Sequence, residues 1–152
     1  TRFRNVTGVQ TCALPILEGV NDIRAAGATV TAAEIIAGYR QIVARAHAHG
    51  LKVIGVTCTP FEGKATGWTP ESEAKRQAMN EFIRNGRVYD GVIDFDAVVR
   101  DPSHPTQLLP QYQSGDDIHP NDAGYQLLGN AIDLALFAPS ASARPRPRPV
   151  TP

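Results

Sequence analysis

From Thr31 onward, apolar residues recur with a helical period. Ile35, Ile36, Tyr39, Ile42, Val43 and Ala46 fall on one face, Thr31 and Glu34 have capping-box spacing, and Gly50 supplies a stop. The pattern predicts a helix between residues 31 and 50. Residues 51–58 (LKVIGVTC) form a β-branched run between Gly50 and Pro60, as expected of a strand buried on both faces. After a loop over 59–69, Thr69, Pro70 and Glu71 announce a second helix, with Ala74, Ala78, Phe82 and Ile83 as its apolar positions and Gly86 near its end. Residues 92–95 (VIDF) predict a second buried strand, and residues 96–119 a polar, proline-punctuated loop. Pro120 then opens a last helix carrying Tyr125, Leu128, Ile132, Ala135 and Leu136. The order helix, strand, helix, strand, helix is that of a parallel, doubly wound α/β sheet. Two strands are few, since such sheets usually have about five or six, so N-terminal strands are expected to be missing and the chain to be only marginally stable.

Both ends differ from the middle. Residues 6–16 (VTGVQTCALPI) resemble the conceptual translation of a common short-read sequencing adapter, so residues 1–16 are expected to be non-native sequence. The alternative is a natural β-hairpin arm punctuated by Gly8 and Pro15. Residues 139–152 (PSASARPRPRPVTP) alternate Arg with Pro and have almost nothing apolar to bury, which predicts a disordered tail. The domain proper is thus expected over 17–138.

Composition narrows the partners more than the fold. The chain has 152 residues, 42% hydrophobic and 20% charged, enough for one globular domain at most. Its 15 Lys plus Arg balance 15 Asp plus Glu, so no basic excess supports a nucleic-acid or anionic-membrane partner. No apolar run approaches the ~18 to 20 residues that span a bilayer, and no secretory-signal pattern opens the chain, so it reads as soluble without an address. Cys12 and Cys58 make neither a disulfide framework nor a zinc-type cluster, which leaves compartment open. Oligomeric state is equally open.

Two clusters carry candidate chemistry, each where a strand or loop meets a helix, the usual place for reactive groups in open α/β sheets. One is Glu18-Gly19-Val20-Asn21-Asp22; the other runs from Asp116 to Tyr125 (DDIHPNDAGY). Asp116 and His119 are close enough in sequence for the carboxylate to accept the imidazole Nδ1 proton, leaving the other nitrogen free as a base toward a serine hydroxyl. A capped loop with a surface histidine fits the same spacing, and metal binding with His104 is a weaker third reading. Asn21 offers an amide donor suited to an oxyanion, or else a turn cap. Phe61 and Trp68 fit either aromatic walls of an acyl or sugar pocket or, preferably, a local cluster closing their loop. Cys58 reads as an inert core thiol, and His47 and His49 as partners of a helix C-terminus.

Together the two clusters resemble conserved blocks of the SGNH, or GDSL-type, esterases and lipases. Gly19-Val20-Asn21-Asp22 is similar to their GxND block and Asp116-Asp117-Ile118-His119 to their DxxH block, with the likeness extending over about 17–137. The resemblance implies a three-layer α/β/α, flavodoxin-like hydrolase. It would cleave a carboxylic ester, a small-molecule or carbohydrate ester for instance, through a Ser-His-Asp triad without metal or organic cofactor. It implies His119 as base, Asp116 as its orienting carboxylate, and Asn21 and Gly19 at the oxyanion hole; Asp22 and Asp117 are left as capping groups. The Gly-Asp-Ser block that carries the family's nucleophile has no match here. Ser72, Ser103, Ser114, Ser140 and Ser142 follow no strand in a tight glycine turn, so none is expected to replace it. The expectation is therefore a fragment of a serine esterase, itself inactive, whose relatives are often exported. The rivals are a noncatalytic α/β ligand-binding module and an enzyme that borrows its nucleophile from another chain.

Overall fold

The structure, a computed structural model, describes residues 13–24, 29–63 and 66–138, the first three by their backbone alone. Three parallel strands form the sheet in the order β1 (Ala13–Ile16), β2 (Lys52–Val56), β3 (Gly91–Ile93). Ile16 stands opposite Gly55, and Val56 opposite Ile93. Between β1 and β2 come the short helix α1 (Val20–Arg24) and the long α2 (Ala32–Ala48); α3 (Pro70–Asn85) joins β2 to β3. The short α4 (Phe95–Val99) and then α5 (Asp122–Asn130) follow.

The alternation of β2 sets the layers. Val53 packs with Val43 and Ala46 of α2, and Gly55 admits the Tyr89 ring, whose nearest atom would stand 2.8 Å from a Cβ there. Ile54 and Val56 face the opposite way, against Ile132, Leu136 and Phe137. Helices and turns thus cover both faces, which makes the three-layer α/β/α arrangement, and β2 is buried on both sides as its sequence predicts.

Local capping explains why the predicted helices begin where they do. The Thr31 hydroxyl accepts the Glu34 N–H at 3.2 Å while the Glu34 carboxylate accepts the Thr31 N–H at 2.8 Å. Thr69 and Ser72 exchange the same pair of bonds ahead of Pro70. Several elements differ from expectation. Strand β1 lies inside the adapter-like stretch and pairs in parallel with β2 rather than in a hairpin. Strand β3 ends early because the Asp94 carboxylate accepts the Ala97 N–H and starts α4 within the predicted loop. The last helix starts after Asn121, not at Pro120, and stops at Asn130; Leu136 belongs to a separate 3-10 turn, Leu134–Phe137, capped by Asp133.

Helix α3 buries a different face from the one its apolar residues suggest. Ala74 and Ala78 are exposed, whereas Glu73, Arg76, Met79, Asn80 and Ile83 are buried. The polar members form a network at the end of β2: Arg76 makes two bonds to Glu73 and one to Asp96, and donates to the Cys58 carbonyl at 2.9 Å. Asn80 closes it by accepting the Cys58 N–H and donating to the Cys58 carbonyl, both at 2.8 Å.

Two further carboxylates tie the elements together. Burial works against their charge, yet Arg84 and Thr57 hold Asp94, and the Val53 N–H and His47 hold Asp90, below the ordinary value of 3.8. A depressed carboxylate stabilises the fold above its unfolded value and loses that contribution as pH falls toward the folded value. The urea midpoint is therefore expected to be level near neutrality and to drop below about pH 4, and a midpoint unchanged down to about pH 3 would contradict this linkage.

Candidate active site

His119 and Asp116 meet as their spacing suggests. His119 Nδ1 lies 2.6 Å from Asp116 Oδ2, while Asp116 Oδ1 accepts the N–H groups of Ile118 at 2.9 Å and His119 at 2.8 Å. The two readings of Asp-x-x-His thus coexist in one carboxylate, one oxygen building the turn and the other holding the ring. The side-chain bond to His119, then the backbone N–H of the same residue and that of Ile118, keep the Asp116 carboxyl well below the usual carboxylate range. Asp116 therefore stays charged around neutrality, which favours the Nδ1–H tautomer of the ring it holds.

The loop that carries the pair is held on both sides. The Ser114 N–H donates to the His119 carbonyl at 2.8 Å, and Gln113 bridges Pro120 in antiparallel fashion. Asn121 caps α5 through Gly124 and donates from Nδ2 to the Gln111 carbonyl at 2.9 Å. Gly124 is needed for close approach, since a Cβ there would stand 2.5 Å from the Tyr112 carbonyl oxygen. These bonds account for Pro120, Asn121 and Gly124 of the HPNDAGY run as supports of the loop that carries His119. Asp117 has φ 62, and among the described residues no backbone N–H donates to its carboxylate.

His119 lines a cavity of about 330 Å³ walled by Leu17, Val20, Phe61, Phe95, Ile118 and Leu128. Glu18, Cys58 and Thr59 complete the rim where β1 and β2 end, so both sequence clusters reach one cavity. Its volume is at the small end of ligand sites, and its walls are mostly apolar. His119 Nε2 has no hydrogen-bond partner among the described residues. Gly19 and Asn21 do not line the cavity, although Glu18 and Val20 beside them do. Asn21 is exposed in α1 with its Oδ1 3.3 Å from Arg24 Nη1. Gly19 has φ 101, and a Cβ there would stand 2.6 Å from Met79 Cε and 2.7 Å from the Tyr39 hydroxyl, so backbone conformation and packing together favour glycine.

The remaining candidates take other partners. Ser114 donates to Asp116 Oδ1 at 3.0 Å, Ser72 caps α3, and no described serine bonds to His119 Nε2; Ser140 and Ser142 lie outside the described residues. His104 stands 3.6 Å from Asp101, and no group of three His, Cys, Asp or Glu among the described residues could hold a metal ion. His47 pairs with Asp90 at 2.8 Å as well as ending α2. Cys58 is buried, and burial pushes its thiol up to about 11. No described helix is long and apolar enough to cross a membrane. Sequence reasoning missed Arg76 and Asn80, which hold the Cys58 backbone at the cavity rim; polar residues four apart in an amphipathic helix were the available signal.

The parallel sheet covered on both faces defines an α/β protein. The chain belongs to the GDSL-like lipase/acylhydrolase family, whose model matches residues 1–127. Its fold is that of a GDSL-like lipase of Bacteroides thetaiotaomicron VPI-5482, with TM-score 0.70 and 19% identity over 82% of this chain and 62% of that one. A structure described as an acylhydrolase of Bacteroides fragilis NCTC 9343 gives TM-score 0.66 and 19% identity over 82% of this chain and 61% of that one. One described as a GDSL-like lipase of Parabacteroides merdae ATCC 43184 gives 0.53 and 22% over 78% and 57%. The chain thus spans less than two thirds of these proteins' length. No curated protein matches it.

Proposed function

We propose that this chain is the acid-base portion of a serine ester hydrolase. The observation that carries the reading is the 2.6 Å contact between His119 Nδ1 and Asp116, which leaves Nε2 beside an apolar cavity with no partner among the described residues. In the proposed mechanism His119 Nε2 takes the proton of a serine hydroxyl as its oxygen attacks the ester carbonyl, and Asp116 stabilises the imidazolium that forms. Asn21 Nδ2, with the backbone at Gly19, would donate to the oxyanion after α1 adjusts to bring the amide to the cavity. His119 then protonates the departing alkoxide, and water activated by the same nitrogen releases the acid. The apolar cavity suits the acyl group.

The serine is proposed to lie upstream of Leu17. The chain by itself is therefore expected to resist stoichiometric labelling by a fluorophosphonate, since a base and orienter without a nucleophile leave little catalysis. Mass spectrometry checks this, and a full adduct on Ser72, Ser103 or Ser114 would overturn it. Resequencing the source DNA through and upstream of residues 1–16 tests the same reading. A Gly-Asp-Ser block joined in frame to Leu17 supports it, and adapter-like codons that prove genuine favour a noncatalytic binding module.

A further inference from the structure

The turn that follows β1 is fastened to α2 by one hydroxyl. Tyr39, buried in the middle of α2, donates to the Glu18 carbonyl at 2.5 Å, and Cys58 Sγ stands 3.6 Å from the same oxygen. Glycine at residue 19 lets the hydroxyl come this close, since a Cβ there would stand 2.7 Å from it. Burial pushes the Tyr39 hydroxyl well above its ordinary value of 10, so it keeps its proton, and its role as donor, wherever an ester can be assayed.

This bond fixes the orientation of a whole peptide. The Glu18–Gly19 peptide is trans, as are all among the described residues, so its N–H points opposite to its C=O. With the carbonyl turned to Tyr39, the Gly19 N–H points away from that hydroxyl, and it has no partner among the described residues. The Gly19 carbonyl is occupied separately, accepting the N–H groups of Asp22 at 3.1 Å and Ile23 at 3.3 Å. Glu18 and Val20, on either side of Gly19, both line the His119 cavity. Without the hydroxyl, the Glu18 carbonyl would keep only a thiol, which is a weak donor, and the peptide would be free to turn its oxygen instead of its N–H toward the rim. A carbonyl oxygen there repels the negative charge that an ester oxygen acquires during attack, whereas an N–H attracts it.

We propose that Tyr39 is a positioning residue for ester hydrolysis: by holding the Glu18 carbonyl it presents the Gly19 N–H to the oxyanion at the cavity rim. The proposal rests on the hydrolase reading above. Tyr39 itself does not line the cavity and acts through the Glu18–Gly19 peptide. Its loss is therefore expected to slow the reaction without changing how the ground-state ester binds.

The test is Tyr39→Phe in the protein expressed from the complete reading frame, with Tyr89→Phe as control. Tyr89 is half-buried, packs edge-on to Phe82, does not line the cavity, and has no hydrogen-bond partner for its hydroxyl among the described residues. With p-nitrophenyl butyrate, and kcat counted per site titrated by a fluorophosphonate, Tyr39→Phe is expected to lower kcat about ten- to a hundredfold. That is short of the roughly 100- to 1,000-fold that removing an oxyanion donor outright costs. KM is expected to stay within about twofold and the pH midpoint set by His119 to stay in place. Inhibition by butylboronic acid, which forms a tetrahedral anion on the serine, is expected to weaken by the same factor as kcat, and Tyr89→Phe to change none of these. The proposal is overturned if kcat is unchanged, if the loss lies in KM with boronate inhibition intact, or if Tyr89→Phe has the same effect. A Tyr39→Phe protein with no titratable site also overturns it, because the hydroxyl would then be structural. The two readings fail differently. A natural protein that hydrolyses no ester, or whose hydrolysis survives His119→Ala, sinks the hydrolase reading and this proposal with it; a Tyr39→Phe protein of unchanged kcat, where hydrolysis does require His119, sinks this proposal alone.

Discussion

Asp96→Ala is expected to cost about 3 to 5 kcal/mol, a large share of the roughly 5 to 15 kcal/mol that holds a domain together. Asp96 is wholly buried and accepts from Arg76 at 2.5 Å, Arg84 at 2.6 Å and Arg100 at 2.8 Å, while its own N–H donates to the Thr57 hydroxyl. Arg76 is wholly buried too, so removing Asp96 leaves its guanidinium with Glu73 as its one remaining carboxylate. The damage would reach the cavity, because Arg76 also holds the Cys58 carbonyl at its rim. Arg100→Ala is the control: its side chain is 34% exposed, and loss of such a partly solvated pair is expected to cost no more than about 1 kcal/mol. Urea denaturation followed by circular dichroism measures both. Equal, small losses would mean that the buried network is not what fastens α3 to the ends of β2 and β3.

His119→Ala is expected to do the opposite, leaving stability nearly unchanged while removing activity. The ring is 62% exposed and contributes one bond to a carboxylate that is itself 48% exposed, so little packing is lost. In a form that carries the nucleophile, kcat/KM for an ester is expected to fall by roughly 10⁴-fold or more, because serine is a weak nucleophile without its base. Asp116→Asn is expected to lose less than His119→Ala, since the turn bonds at Oδ1 can persist while the preference for the Nδ1–H tautomer is lost. Ester hydrolysis that survives His119→Ala would remove the histidine from the mechanism.

Local signals made α2, β2 and α3 legible in the sequence. Thr31 with Glu34, and Thr69 with Pro70 and Ser72, close their capping bonds within three residues, so no distant contact is needed to place those ends. The Asp116–His119 contact was legible for the same reason. Strand β1 was not, because Ala13–Ile16 has one β-branched residue and includes Pro15, and becomes a strand only by pairing with β2. The inward face of α3 was missed because its partners are charges from residues 94 to 96 and a backbone carbonyl at residue 58, none of which leaves a hydrophobic period. Helix α4 depends on an Asp94 that is itself fixed by Thr57 and Arg84. The cavity draws on residues from 17 to 129 and is a property of the assembled layers.

His119, held by Asp116, is proposed to serve a serine lying upstream of Leu17. Its most direct test is fluorophosphonate labelling of the protein expressed from the complete reading frame, with the adduct located by peptide mass spectrometry, in the natural sequence and in His119→Ala. Rapid labelling of one serine upstream of Leu17 is expected, with labelling at least a hundredfold slower in the variant. Labelling of a serine within residues 17–138, or labelling at equal rates in both proteins, would contradict it.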